Sequence, residues 1–109
     1  MEKTLVGLTE KIKINGHSVI ARIDTGATLS SICVDLASKL KLGPVIRTAT
    51  VLSSNSKTAR PVIKAHIQIK NRKFNASFTL SARTHMKYKA LIGQNILKKG
   101  FIIDASKQA

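Results

Sequence analysis

The sequence is poor in cysteine, aromatic residues and acids, and each shortage excludes a class of protein. Cys33 is the only cysteine among 109 residues, which excludes an internal disulfide framework and a zinc site built from several cysteines. With no tryptophan, one tyrosine and three phenylalanines, the chain offers few side chains on which nucleic-acid bases could stack. No apolar run approaches the roughly 20 residues that a membrane-spanning helix needs.

The remaining composition is that of one folded domain. Hydrophobic residues make up 43% of the chain, which is enough for a compact core and unlike a disordered chain. We therefore expect residues 1–109 to form a single domain. The N-terminal residues 1–4 are not followed by the apolar segment of a signal peptide, so we expect a cytoplasmic protein.

Positive charge dominates the sequence. Nineteen lysines and arginines face five acids, for a formal net charge of +14. Such a charge attracts nucleic acid, anionic lipid or acidic peptides, although a lysine-rich surface without a specific ligand would have the same composition. Any chemistry that needs two carboxylates must use a second copy of the chain or draw on a short list of acids: Glu2, Glu10, Asp24, Asp35 and Asp104.

Short alternating segments separated by turns predict an all-β protein. Residues 10–15 and 18–23 read as two strands, joined at Asn15-Gly16, the strongest short signal for a hairpin turn. Further strands are expected at residues 45–52, 62–70, 74–80, 90–92 and 101–103. Short helices are expected at residues 34–40 and 95–99. This spacing of strands and turns is typical of a small sandwich or barrel.

The triplet Asp24-Thr25-Gly26 is the strongest candidate for chemistry. Its glycine permits close backbone approach, and its hydroxyl can hold a loop by hydrogen bonding. An isolated triplet of this kind is better explained as an Asx turn at the end of a strand, because the motif is short. The context favours chemistry, because the apolar segment 19–23 leads into the triplet and Leu91-Ile92-Gly93 follows about one small domain's length downstream.

This pairing resembles the retropepsin-like aspartic proteases. The resemblance implies a closed, barrel-like all-β fold with one or two short helices in a single-lobe subunit, with Leu91-Ile92-Gly93 running beneath a catalytic Asp-Thr-Gly loop. A closer resemblance is to the bacterial and archaeal family often labelled ATP-dependent zinc protease. It is carried by residues 21–27, 60–64, 86–97 and 101–104. Members of that family often accompany ATP-grasp ligases that add glutamates to proteins, which implies a functional link to such a ligase.

The carboxylate count then predicts a homodimer. Aspartic proteases need two carboxyls that share one proton, and this chain has one Asp-Thr-Gly and is too short for two lobes. If the chain is catalytic, Asp24 must pair with Asp24 of a second chain across a two-fold axis. The resemblance implies that Thr25 braces the paired loops and that Gly26 lets the backbone approach the substrate. Asp24, Thr25 and Gly26 are therefore the predicted catalytic residues.

Residues 53–60 are expected to form the tip and shoulder of a flap that covers the cleft and excludes water. The predicted substrate-binding residues are Ala27, Ser53, Ser54, Asn55, Ser56, Lys57, Arg60 and Ile92. The predicted substrate is a peptide or protein. Acidic or glutamate-rich peptides are favoured by the basic residues on or near the flap, which are Arg47, Lys57, Arg60 and Lys64.

The sequence departs from the retroviral pattern beside the catalytic loop. Retroviral relatives carry an aspartate just after Asp-Thr-Gly-Ala and an arginine just after the downstream glycine, whereas Thr28 and Gln94 stand at those positions here. Because both charged residues are absent, neither position leaves an unpaired charge beside the loop.

No cofactor or metal is expected. The three histidines are widely spaced and no second thiol accompanies Cys33, which we expect to be a small buried side chain. Two alternatives to the enzyme remain open. One is a non-catalytic retropepsin-like dimer that binds peptides or a partner protein. The other is a nucleic-acid binder, which rests on net charge alone; we expect only non-specific contacts with nucleic acid and none with a membrane.

Overall fold

Nine strands and two short helices make up the part of the chain that the computed structural model describes, which is residues 2–53, 56–82 and 87–107. The strands are β1 (Thr4–Val6), β2 (Thr9–Ile14), β3 (His17–Ile23), β4 (Ser30–Cys33), β5 (Arg47–Ser53), β6 (Ser56–Ile69), β7 (Arg72–Ser81), β8 (Ala90–Ile92) and β9 (Phe101–Ile103). The helices are α1 (Val34–Lys39) and α2 (Gln94–Leu97).

Six of the strands close into a barrel. Their order is β2-β3-β8-β4-β7-β6, and β6 pairs back onto β2 through Lys13↔Gln68 and Ile14↔Ile67. The hairpin of β5 with the first half of β6 extends from this barrel, and β1 and β9 form a separate parallel sheet of two strands. The predicted all-β, barrel-like fold with two short helices is confirmed.

Alternating side chains on β2 and β6 fill the barrel. Ile12 and Ile14 on β2 and Ile63 and Ile67 on β6 are almost completely buried, whereas the residues between them are mostly polar and exposed. Burying an isoleucine side chain contributes about 1.5–3 kcal/mol. The period-two alternation of apolar and polar residues in the sequence therefore corresponds to the inward and outward faces of these two strands.

The first hairpin has the turn that its sequence predicts. Asn15 and Gly16 have φ angles of 47° and 85°, the positive values that a type I′ turn needs at both central residues. The pairing that follows sets Ile14 opposite His17 and carries β3 to its end at Ile23.

Strand β8 lies between β3 and β4 and is buried along its whole length. It pairs with β3 in parallel, with Ile23 opposite Ile92, and with β4 in the antiparallel direction. Parallel pairing brings the carboxyl ends of β3 and β8 to the same edge of the sheet. Asp24 follows β3 and Gly93 follows β8, so these two residues lie close together.

Two strands were not predicted, and several boundaries differ. Strand β4 has two serines and is buried at every position, so it lacks the alternation on which the prediction relied. Strand β1 has only three residues. Strand β6 begins at Ser56 rather than at residue 62, because its first part pairs with β5 outside the barrel.

The C-terminal segment folds back on β1. The Asp104 N–H donates to the Val6 carbonyl at 2.8 Å, and the Leu8 N–H donates to the Lys107 carbonyl at 2.9 Å. The Ser106 hydroxyl and N–H both donate to Asp104 Oδ1, and these bonds lower the pKa of that carboxyl. Within the described ranges, no helix has the length and apolar character to cross a membrane.

Candidate active site

Asp24 lies directly after β3, at the head of a cleft, in a turn held by the backbone. Its N–H donates to the Ile92 carbonyl at 2.9 Å, and its carboxylate Oδ1 accepts the Gly26 N–H at 2.9 Å. The Ala27 N–H closes the turn on the Asp24 carbonyl at 3.3 Å. The Oδ1 bond makes this an Asx turn, and the half-buried carboxylate also lines the cleft. The two interpretations of the triplet are therefore compatible.

Gly93 passes so close to this turn that a side chain would not fit. A Cβ at this position would lie 2.7 Å from the Ala27 carbonyl oxygen and 2.8 Å from the Leu29 carbonyl oxygen. Both are backbone atoms, which cannot move aside without moving the loop. The sequence pairing of Asp-Thr-Gly with a downstream apolar-apolar-Gly segment thus corresponds to a direct packing contact.

The first residues of α2 hold the loop from below. The Gln94 N–H donates to the Ala27 carbonyl at 2.8 Å, and the Asn95 N–H donates to the Thr28 carbonyl at 3.1 Å. The Gln94 side chain donates through Nε2 to the Thr25 carbonyl at 2.8 Å. A neutral amide therefore tethers α2 to the loop at the position where the retroviral pattern has an arginine.

Ser30 and Asn95 form a second layer of support that no sequence motif predicts. Asn95 Oδ1 accepts both the N–H and the hydroxyl of Ser30, at 2.9 and 2.7 Å, and Nδ2 donates to the Ser77 carbonyl at 2.9 Å. The Ser30 Oγ accepts the Gly93 N–H at 2.9 Å. This network joins β4, β7 and α2 beneath the Asp24 turn. Ser30 is fully buried, and both its N–H and its hydroxyl have hydrogen-bond partners in the network.

The cleft has a volume of about 450 Å³ and lies between the Asp24 turn and the β5–β6 hairpin. The turn side contributes Asp24, Gly26, Ala27, Thr28 and Leu29, and the hairpin side contributes Thr50, Val51, Leu52 and Arg60. The hairpin pairs Ser53 with Ser56 at its end, where the flap was predicted. Leu52 is 71% exposed although it lines the cleft, which leaves an apolar side chain free to contact a ligand.

Apart from Ile92, the predicted site residues divide into three groups. Asp24, Gly26, Ala27 and Arg60 line the cleft. Thr25 is exposed beside it, and Ser56 and Lys57 are exposed at the end of the hairpin. Ser54 and Asn55 lie outside the described residues, and Ser53 is placed only as the last residue of β5.

Ile92 does not have the position that substrate binding requires. Its side chain is 0% exposed and belongs to the barrel core, whereas its neighbour Leu91 lines the cleft. Successive residues of a strand point to opposite faces, so only one of the two can face the cleft. The prediction that Ile92 contacts substrate is corrected on this ground: it lies beneath the turn.

Of the four basic residues predicted on or near a flap, Arg60 borders the cleft, whereas Arg47, Lys57 and Lys64 are absent from its lining. All five acids of the chain lie within the described residues, and none of them forms an ion pair with Arg60. The cleft thus contains one half-buried guanidinium without a carboxylate partner.

Asp24 is the only acid that lines the cleft in the part of the chain described. Glu10 pairs with Lys70, Asp35 is on α1, and Asp104 follows β9. One chain therefore supplies one carboxylate to this site. Across residues 2–53, 56–82 and 87–107, no three acids, cysteines or histidines lie close enough to hold a metal ion; His85 lies outside those ranges.

The fold and the turn define a single-lobe subunit of the aspartyl-protease type, and comparison with known proteins agrees with this class. A family model described as "gag-polyprotein putative aspartyl protease" matches residues 11–99, so the chain belongs to this family. No curated protein sequence matches the chain.

Several solved structures are similar to this one. EIAV protease, in complex with the inhibitor HBY-793, has a TM-score of 0.71 and 18% identity, over 84% of this chain and 85% of that one. Simian Foamy Virus (mac) protease has a TM-score of 0.62 and 19% identity, over 83% and 91% of the two chains. Lpg0085, a protein of unknown function from Legionella pneumophila, has a TM-score of 0.70 and 18% identity over 96% and 95%. At these identities the likeness concerns the fold alone.

Proposed function

We propose that the protein is a homodimeric aspartic endopeptidase whose active site contains Asp24 from each of two chains. The observation that carries this proposal is the Asp24 turn, which holds one carboxylate at the head of a peptide-sized cleft and is packed against Gly93. An asparagine could accept the same Gly26 N–H, so a protein that only holds peptides has no need of an ionisable group in this turn. The family to which the chain belongs supports the same class of activity.

A second copy of the chain is needed because the chemistry requires two carboxyls. The two-stranded sheet of β1 and β9 offers a surface on which the copies could join. Leu5 and Ile102, which pair with each other in this sheet, are 46% and 48% exposed. Each of the two strands pairs only with the other among the described residues, so a second copy could extend the sheet at its edges.

In the proposed reaction the two Asp24 carboxyls share one proton and hold a water molecule between them. The ionised carboxylate takes a proton from the water, whose oxygen attacks the carbonyl carbon of the peptide. The protonated carboxyl gives its proton to the carbonyl oxygen, which yields a neutral tetrahedral diol. Proton transfer to the peptide nitrogen and cleavage of the C–N bond then release an amine and a carboxylic acid. No covalent intermediate is formed with the enzyme.

The flap would close over an extended substrate. Leu52 supplies an exposed apolar contact, and closure would exclude water from the reacting groups. The net charge of +14 and the unpaired Arg60 in the cleft support acidic or glutamate-rich peptides as the substrate class. The relation to the prokaryotic family labelled as zinc proteases, and with it a functional link to an ATP-grasp ligase, remains a hypothesis.

The test is cleavage of a mixed peptide pool that includes glutamate-tailed peptides, read by mass spectrometry at several values between about pH 4 and 8. Wild type and Asp24→Asn are compared, with sedimentation to establish that both form dimers. We expect products from the wild type alone. An absence of products from a dimeric wild type would contradict the proposal and favour a non-catalytic peptide-binding dimer.

A further inference from the structure

A second groove lies on the outer wall of the barrel, away from the cleft. It crosses β3, β2 and β6, has a volume of about 490 Å³ and shares no lining residue with the cleft. Lys11, Lys13 and Lys70 line it together with Ser18 and Gln68. The mechanism proposed above uses none of these residues.

We propose that this groove and the lysines around it bind the phosphate backbone of nucleic acid without reading its sequence. We name the surface the basic face and define it by six residues: Lys11, Lys13, Arg22, Lys64, Lys70 and Lys73. The proposal goes beyond the peptidase activity and does not depend on it.

Strand register places three of these cations, Lys11, Lys13 and Lys73, on one side of the sheet. Lys13 is paired with Ser18 on β3 and with Gln68 on β6, and Gln68 is paired with Lys73 on β7. Residues paired directly across strands point to the same face, so Lys13 and Lys73 share it at a separation of about two strand spacings, or ~10 Å. Lys11 lies two residues before Lys13, about 6.7 Å along the same strand.

The charge of this face is almost unopposed. Glu10 is the one acid in the groove, where it forms an ion pair of 3.4 Å with Lys70 and accepts the Gly7 N–H at 2.8 Å. The other described acids lie before β1, at the cleft, on α1 or after β9. Like charges gathered on one sheet face repel one another, and a bound polyanion would relieve that repulsion.

The barrel favours nucleic acid over an acidic peptide at this surface. A peptide that binds a sheet gains most from backbone hydrogen bonds at a free edge. Strand β2 pairs with β3 along its whole length and with β6 at Lys13 and Ile14, so its side toward β6 is open at residues 9–12. Strand β3 pairs with β8 at residues 21–23. The free edges beside this groove are therefore short and offer an added peptide strand few hydrogen bonds. A ligand on this face is held through its charges, and a phosphate backbone presents charges at regular intervals.

The side chains also argue against a membrane surface and against base recognition. Ile20 is the one large apolar side chain exposed on the described part of this face, at 40%, which is too little for insertion into a bilayer. Phe74 is paired with Ile67 and Phe78 with Ile63, so both aromatic rings belong to the inward side of β7. Contacts to phosphates without stacking position a nucleic acid but do not specify its sequence.

The test compares two triple variants that carry the same net charge of +11, three below the wild type. One variant changes the basic face by Lys11→Gln, Lys13→Gln and Lys73→Gln. The matched control changes exposed lysines elsewhere by Lys39→Gln, Lys41→Gln and Lys98→Gln. Binding of a fluorescent DNA duplex of about 20 base pairs is measured by anisotropy between about 50 and 200 mM salt, with circular dichroism as the check of folding.

We expect the basic-face variant to lose about tenfold or more in affinity and its salt dependence to become shallower by about 0.9 for each contacting lysine removed. The control should retain the wild-type slope, and Asp24→Asn should bind as the wild type does. Equal losses in the two triple variants would overturn the proposal, as would binding to vesicles of anionic lipid without binding to the duplex. Asp24→Asn changes the proposed peptidase site and leaves the basic face intact, so its binding to the duplex tests the basic face separately. The binding result can therefore be interpreted even if the peptidase proposal fails.

Discussion

Gly93 is the residue on which the geometry of the Asp24 turn depends most directly. Its missing side chain lets β8 continue into α2 directly beneath the turn. Gly26 has a different role, because a Cβ there would meet only the Asp24 Oδ1 atom, at 3.3 Å. One glycine permits the packing of two backbone segments, and the other leaves room for the carboxylate.

The two glycines should therefore respond differently to alanine. Gly93→Ala places a Cβ within 2.8 Å of two backbone carbonyl oxygens, so we expect a loss of stability of about 3 kcal/mol, at the upper end of the usual range for overpacking in a core. Gly26→Ala should cost about 1 kcal/mol or less, because only a side-chain atom has to shift. Urea denaturation followed by circular dichroism measures both. Equal stabilities of the two variants would show that the close approach at Gly93 is unimportant.

Residue patterns predicted the Asp24 turn but not its support. Asp24, Gly26 and Gly93 belong to short, ordered motifs that a reader can find in the sequence. Ser30 and Asn95 are single polar residues, 65 positions apart, and their contact exists only once β4 and α2 have packed together. Nothing in their sequence surroundings distinguishes them from exposed residues.

Among the elements, the sheet of β1 and β9 depends on Arg72 at the start of β7. The Arg72 guanidinium donates through Nη2 to the Lys99 carbonyl at 2.6 Å and lies 4.7 Å from the centre of the Phe101 ring. Its Nη1 lies 3.5 Å from the Thr4 hydroxyl. One side chain therefore connects the barrel to both strands of the sheet that we propose as the dimer interface.

Arg72→Ala should weaken the dimer while the barrel stays folded. The lost hydrogen bond and cation–π contact are each worth about 0.5–2 kcal/mol, so we expect the dimer dissociation constant to rise about tenfold. Sedimentation across a range of concentrations measures this constant. Lys73→Ala, at the exposed neighbouring position, is the matched control. An unchanged constant in Arg72→Ala would place the dimer interface elsewhere.

The elements that the sequence predicted well are those with a strong local signal. The β2–β3 hairpin has Asn15-Gly16 at its turn, and β8 and β9 were predicted with their observed bounds. Strand β4 was missed because all four of its residues are buried, so the sequence shows no alternation of polar and apolar positions there. Pairing with β7 and β8 fixes the position of β4. These pairings join segments that are distant in the sequence, so no local pattern predicts them.

At the scale of the whole molecule, the barrel separates two surfaces with different chemistry. The cleft contains one carboxylate and one unpaired guanidinium, and the outer wall carries the basic face. Composition predicted the excess of positive charge but not its distribution, because the register between strands determines which lysines share a side. The misplacement of Ile92 has a similar cause, since the sequence does not tell which face of a three-residue buried strand meets the cleft.

In the proposed dimer, one active site is built from two Asp24 residues. This shared site has a direct test, in which wild-type and Asp24→Asn chains are refolded together in known ratios and peptide cleavage is measured at constant total protein. If both carboxylates are needed, only wild-type homodimers cleave, and an equal mixture retains about a quarter of the wild-type activity. A mixture that retains about half of the activity, in linear proportion to the wild-type fraction, would contradict the shared site.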